Sequence, residues 1–518
     1  MRGNSAGRFC YSGVIAILLL SPSALLWSQT AAPSLGIFEG QSDVGKVSPP
    51  GRLAFDAAKD AYTITAAGAN LWSTVDGFHF AWKKISGDVA LTADMIFPST
   101  AGHPDPHRKA VLMLRQTLED DGVYVDAAQH GSGMTALQYR RARGATTQDI
   151  ELSIASPKRI RLEKRGDAIT MFLSMGDEPL HQVGASIKLH LEGPFYAGIG
   201  VCSHNKDVVE TAVFSHVEVK LLEPSTAPGP LAPYSTLQTI SIEDNFRRAM
   251  VVLTLRGRIE APNWSRDGKT LIFNQDGHLW RIGAEGGTPE RIDTGEAERC
   301  NGSHGLSPDG QWLAISCSTP GKPESRVYVI PTGGGKPRLV TEHPNSYWHS
   351  WSPDGKTILF TRPSNGGGNI YRIAAEGGEE AALTTGNGIS DDPDYSPDGQ
   401  HIYFNSNRGG TMQIWRMQPD GSNPEQVTTD DFNNWTPHPS PDGKSIVILS
   451  YEKDVTGHPA NKDIALRILS VDDRKLRVLV NLTGGAGTMN VPSWAPDGHH
   501  LAFVSFQMLP ADEHGSSE

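Results

Sequence analysis

In the second half of the chain, apolar and polar residues alternate in short runs: KTLIF at Lys269–Phe273, KTILF at Lys356–Phe360 and HIYF at His401–Phe404. A period of two puts every second side chain on one face, so these runs predict half-buried β-strands. Each follows a tetrapeptide of the Ser-Pro-Asp-Gly type. Its aspartates stand at 267, 309, 354, 398, 442 and 497, spaced by 42, 45, 44, 44 and 55 residues. In such a turn Pro pre-sets φ, Asp accepts local backbone hydrogen bonds and Gly takes the left-handed conformation. An aromatic or apolar residue precedes most turns (Trp264, Leu306, Trp351, Tyr395, Trp494). A further strand follows the first, as in HLWRI at His278–Ile282, NIYRI at Asn369–Ile373 and QIWRM at Gln413–Met417, and a Gly-rich turn then leads to a short fourth. Four strands every 40–45 residues is the pattern of a propeller blade, so six repeats predict a six-bladed propeller over 234–506, with a tail at 507–518. The last repeat runs out near Phe506. Two strands ahead of the first repeat, Thr236–Ile242 and Arg247–Leu253, are expected to complete it and close the ring. The long fifth spacing marks an insertion at about Tyr451–Asp463, read as a loop.

The first half alternates without repeating. Tyr62–Thr65, Val89–Phe97, Ala110–Arg115, Val123–Ala127, Ile160–Lys164, Ile169–Ser174, Tyr196–Cys202 and Ala212–Lys220 all read as strands. No long helical pattern intervenes, so residues 34–222 predict a separate β-sandwich in an all-β chain. Residues 223–233 (PSTAPGPLAP at Pro224–Pro233) form a proline-rich linker.

Arg2 and Arg8, the apolar run VIAILLL at Val14–Leu20 and the small residues after it have the layout of a signal peptide over 1–30. No other segment is apolar for the roughly 18 residues a span needs, so no stable membrane span is expected after cleavage. The mature protein is expected to be periplasmic or secreted. The full chain's net charge of −12 repels phosphate backbones and argues against a nucleic-acid partner. In an oxidising compartment Cys300 and Cys317, flanking one hairpin, either pair or remain buried thiols.

The repeats resemble those of the TolB-type, WD40-like propeller family across about Tyr234–Phe506. Members serve in periplasmic protein complexes, as sensors, or beside peptidase and carbohydrate-active domains, so the resemblance implies a fold more than a reaction. TolB's own propeller follows a small α/β domain, whereas this one follows β-structure. NLWSTVDGFHF at Asn70–Phe80, RLEKRGDAITMFLS at Arg161–Ser174 and YAGIGVCSHN at Tyr196–Asn205 resemble concanavalin-like jelly-roll domains.

Loops from every blade converge at a propeller's channel mouth. Residues ahead of the turns are candidates to line it: Glu260, His304, Tyr347, His349, Asp391, Asp392, Trp435, His438 and Asn490. Three of them, His304, His349 and His438, are candidate ligands for a divalent cation. The same side chains serve equally to hydrogen-bond backbone within the channel. In the sandwich, Trp72, His79 and Trp82 are candidates for a sugar platform, with core packing the alternative. His103, Asp105 and His107 (HPDPH) have metal-like spacing in a loop of prolines. Past the expected signal peptide, Gly-x-Ser-x-Gly, His-Glu-x-x-His and P-loop signatures are absent. These observations favour an exported, non-catalytic protein docking an envelope protein or polysaccharide. The alternative is a metal-dependent carbohydrate-active enzyme, an oligouronide lyase or glycoside hydrolase, resembling the oligogalacturonate lyases with their channel histidines.

Overall fold

Each Ser-Pro-Asp-Gly turn is built from its own side chains. In the third, Ser352 Oγ donates to Asp354 Oδ1 (2.6 Å) and accepts from the Thr357 amide (2.9 Å), while Asp354 accepts from the Lys356 amide (3.1 Å). Gly355 closes the turn at φ 71°, where any other residue is strained. The same bonds recur at Ser265, Ser307, Ser396 and Ser440. The serine hydroxyl and the following amide hold the Asp354 carboxyl below its ordinary range. These aspartates are structural.

A computed structural model describes residues 34–98, 104–223, 231–242, 248–364, 367–386 and 388–510. The expected signal peptide, most of the linker and residues 511–518 lie outside them. No helix occurs among the described residues, so none is long and apolar enough to cross a membrane. Five four-stranded antiparallel sheets follow one another at 259–291, 304–339, 347–382, 390–426 and 433–484. We call them blades 1 to 5. The first strand of each touches the first strand of the next, so these strands line the centre. The aromatic before a turn ties blades together: Trp351 Nε1 donates to Gly305 O (3.0 Å) and Trp494 Nε1 to His438 O (2.8 Å).

The sixth repeat departs from the expectation. It does not form a four-stranded sheet of its own. Its turn, at Ala495–Gly498, is followed by the strand His500–Pro510, which carries the pairing past Phe506 into the expected tail. That strand pairs antiparallel with Leu231–Ser241, which pairs with Arg248–Arg256, so the expected closing strands are present and the first begins inside the expected linker. The Arg248–Arg256 strand then pairs parallel with Gln148–Leu152 of the first half. Its outer edge therefore continues into the first half's sheet instead of ending on a fourth strand of its own. On the inner side a single bridge, Trp494 to Leu501, stands where the other blades have a full strand. Apolar side chains pack this set on both flanks. Leu237, Val252, Ala502 and Val504 share a core with Ile259, Leu271 and Phe273 of blade 1, while Ile240, Leu501 and Phe503 share one with Val447, Leu449 and Leu466 of blade 5.

The first half forms two sheets. The larger runs in the order Gly40–Gly45, Val75–Ile85, Phe195–Cys202, Lys109–Arg115, Tyr124–His130, Thr135–Arg140 and Gln148–Leu152, and then into the closing set. The smaller holds seven strands, ordered His181–Lys188, Ala168–Ser174, Arg159–Arg165, Val89–Ile96, Asn205–Leu221, Ala61–Gly68 and Arg52–Asp56. Alternate residues of both (Leu112, Leu114 and Ile199 on one; Leu91, Leu162, Met171 and Phe214 on the other) meet in one core. Each such side chain contributes about 1.5–3 kcal/mol.

The opposite face of the larger sheet carries buried charge. Asp76 pairs with Arg115 (2.7 Å) and Arg140 (2.8 Å), and all three side chains are wholly buried. Arg140 also donates to the Ser73 and Ala145 carbonyls, fixing the surrounding loops. Removing the shared anion would strand two buried cations. Asp76→Asn is therefore expected to cost about 3–5 kcal/mol in urea denaturation, whereas replacing the exposed Asp177, paired with Lys158 at the surface, should cost under about 1 kcal/mol.

Cys300, on the connection from blade 1, and Cys317, on the Trp312–Thr319 strand of blade 2, form a disulfide (S–S 2.03 Å), and among the described residues Cys202 is a buried free thiol. The bridge closes a loop of 17 residues, so Cys300→Ser/Cys317→Ser is expected to lose about 3 kcal/mol, read as a lower melting midpoint that reductant reproduces in the wild type.

Candidate functional site

The inner strands are interrupted at one place. Their register slips between Glu260 and Asn263, Trp348 and Ser350, Asp391 and Asp394, and Trp435 and His438. These bulges lie four to seven residues before the turn aspartates and re-aim the side chains there. Ala261, Asp392 and Thr436, each six residues before its aspartate, take positive φ (56°, 48° and 48°). The position before them places Glu260, Tyr347, Asp391 and Asn490 half-buried at the centre, with Trp435 buried.

Sequence position alone does not reveal how these residues group. His349 is 6% exposed. Its Nε2 hydrogen-bonds Thr361 Oγ1 (2.9 Å), and its Nδ1 lies 3.4 Å from Asp392 Oδ1. Asp391 Oδ1 is 3.5 Å from the Nε2. One ligand atom each from His349, Asp391 and Asp392 fits within 4.8 Å. Burial, and then the Asp391 charge, raise the Asp392 carboxyl well above its ordinary range. Burial lowers His349 to about 4, so its imidazole is neutral at pH 7.

The three-histidine set is revised. His438 lies one position later in its repeat than His304 and His349 and pairs instead with Asp394 of blade 4 (Nδ1 to Oδ2, 3.1 Å), a buried contact between blades. His304, in blade 2, is wholly buried; that burial lowers it to about 4, partly offset by backbone groups of Ile272 and Asn301. Neither belongs to the close group at His349. Across the centre Glu260 pairs with Arg258 (2.9 Å), which also donates to Ala486 O (3.0 Å), and Asn490 Oδ1 accepts from the Gly487 amide (3.0 Å).

His458, which residue patterning did not single out, joins the site from the expected insertion. Its ring stacks on Trp435 (centroids 5.0 Å, 13°) and meets Tyr451 edge-on (5.7 Å, 87°). It lies in the field of Asp391, and burial lowers it to about 4. The unequal fifth spacing is the one signal that pointed to this loop.

The sugar platform does not assemble. His79 and Trp82, three residues apart on one unbroken strand, point to opposite sides of the sheet. His79 is buried against Asp43 (2.7 Å) and Gln41 (3.0 Å), Trp82 donates to Ser42 Oγ (3.1 Å), and Trp72 lies beneath the Lys109 ammonium (5.2 Å). In the HPDPH loop, His103 lies outside the described residues. Asp105 accepts from the His107 amide (2.8 Å) and pairs with His204 (3.3 Å).

These features define a β-propeller whose inner strands gather carboxylates and imidazoles at its centre. A family model described as the TolB beta propeller domain matches residues 349–509. An uncharacterized protein of Agrobacterium fabrum is 44% identical over 284 residues, covering 54% of this chain and 95% of that protein. A solved structure from Agrobacterium tumefaciens, provisionally assigned as TolB, is 43% identical with a TM-score of 0.51 and covers 54% of this chain and 99% of its own. The Tol-Pal system protein TolB of Francisella tularensis is 25% identical over 150 residues, which span 27% of this chain and 34% of that protein. The chain belongs to the TolB-like β-propeller family.

His304 gives a pH test. Its folded pKa lies below the unfolded value, so the unfolded state takes up a proton first as pH falls from about 6.5 toward 4. The neutral imidazole's contribution is complete above that window and lost within it. His304→Leu is expected to remove about 2 kcal/mol of the stability difference between pH 7 and pH 5, measured by urea denaturation.

Proposed function

We propose that this is an exported, periplasmic binding protein whose propeller centre docks a segment of another envelope protein. The observation that supports this most is the division of labour along each repeat. The turn residues are consumed by the fold, while the position seven residues before four of the six turn aspartates leaves Glu260, Tyr347, Asp391 and Asn490 half-buried on the inner side of the ring, where the first strands of successive blades touch. Two of these are carboxylates, and the chain is acidic overall, so the favoured occupant is a basic, extended segment. We further read the closing strands, with the bridge from Trp494 to Leu501, as the sixth blade, and the two N-terminal sheets as a concanavalin-like sandwich. Membership of the TolB-like family supports an interaction role over a catalytic one.

The test is capture of periplasmic proteins from the producing bacterium on the immobilised protein. The wild type is expected to retain a protein partner, and a Glu260→Lys/Asp391→Lys variant with an unchanged melting midpoint to lose at least tenfold of it. Retention undiminished by the charge reversal, or retention of polysaccharide alone, would contradict the reading.

A further inference from the structure

We propose that His349, Asp391 and Asp392 form a divalent-cation site selective for Zn2+ or Mn2+, with His458 as an outer ligand or cap. Docking of a partner is not needed for this, and the site is testable without one.

Geometry supports the assignment first. Tetrahedral coordination at about 2.1 Å sets neighbouring ligand atoms about 3.4 Å apart. His349 Nδ1 and Asp392 Oδ1 stand 3.4 Å apart, Asp391 Oδ1 lies 3.5 Å from the same ring's Nε2, and one ligand atom from each of the three fits within 4.8 Å. The imidazole is oriented for the task. Thr361 Oγ1 holds its Nε2, the way outer partners fix the rings of metal-binding histidines, and leaves Nδ1 to face Asp392.

The pattern of satisfaction is the second, independent observation. His349 is more than nine-tenths buried, yet its Nδ1 makes no hydrogen bond. His458 Nε2 is likewise buried without a partner. Asp392 is 7% exposed and sits beside a second carboxylate. Among the described residues neither aspartate has a Lys or Arg ion-pair partner, and His349 is their shared contact. Two adjacent carboxylates at this depth repel one another and lack a counter-charge, so a bound cation would relieve both costs.

Donor chemistry sets the metal. Imidazole with carboxylates suits Zn2+ and Mn2+, whereas Ca2+ and Mg2+ prefer oxygen ligands throughout. The ligands come from blades 3 and 4, and His458 from the long connection in blade 5. One ion would therefore tie three consecutive blades at the centre.

The experiment is calorimetric titration of the chelator-treated protein with Zn2+, Mn2+ and Ca2+, paired with thermal melts. One equivalent of Zn2+ or Mn2+ is expected to bind and raise the melting midpoint, with Ca2+ at least tenfold weaker. Asp392→Asn should weaken that binding at least 100-fold and, by removing the repulsion, melt no lower than the wild type in metal-free buffer. His458→Ala is expected to weaken binding about tenfold. Asp391→Asn, at a half-buried position, provides the second test should Asp392→Asn fail to fold. Absence of saturable binding by both Zn2+ and Mn2+, or wild-type affinity in the aspartate variants, would overturn the site. Both measurements are made without a partner, so failure of the cation site is distinguishable from failure of partner capture.

Discussion

The pairing of Leu231–Ser241 with His500–Pro510 is the interaction on which the rest of the molecule depends. It joins strands more than 250 positions apart over eleven residue pairs, from Leu231 with Pro510 to Ser241 with His500. A ring of blades left open would expose two sheet edges and two apolar flanks. Here Leu237, Val252 and Val504 fill the flank against blade 1, and Ile240, Leu501 and Phe503 the flank against blade 5. The loop-closure entropy of so distant a contact grows only slowly with length, so the buried apolar area can outweigh it. The outer strand of the closing set also pairs with Gln148–Leu152, so the edge that closes the ring anchors it to the first half of the chain.

Closure also places the site. With the blades held in a circle, the bulges on successive inner strands bring Asp391 and Asp392 of blade 4 against His349 of blade 3, and Asp394 against His438 of blade 5. Carboxylates at such depth are expensive, and both pairs lie between blades rather than within one. The centre therefore stores charge that the sheets themselves do not require. A binding function would put that charge to use.

Much of this was legible in the sequence because the turns are self-contained. Serine, aspartate and glycine make their hydrogen bonds within six residues, so the tetrapeptide reports its geometry without tertiary help. Period-two alternation likewise revealed strands with one wet face. It failed at Thr135–Arg140, where buried Gln138 and Arg140 break the apolar pattern because the second face is covered too. The sixth repeat was legible only in part, since a repeat can complete its turn while its outer strand pairs elsewhere. At the site, the residues sought before the turns fall beside the bulges of the inner strands. Their grouping was not legible, because a one-residue difference in register sends His438 to Asp394 while His349 meets Asp391 and Asp392. His458 lies in a loop whose path no local pattern dictates.

Hydrogen exchange monitored by mass spectrometry tests ring closure most directly. Amides of Thr236–Ile240 and Leu501–Phe506 are expected to exchange only through global unfolding, with the same free energy as the blade-2 strand Trp312–Thr319. Exchange of the two closing segments orders of magnitude earlier than that strand would contradict the account, because the ring would then open without the protein unfolding.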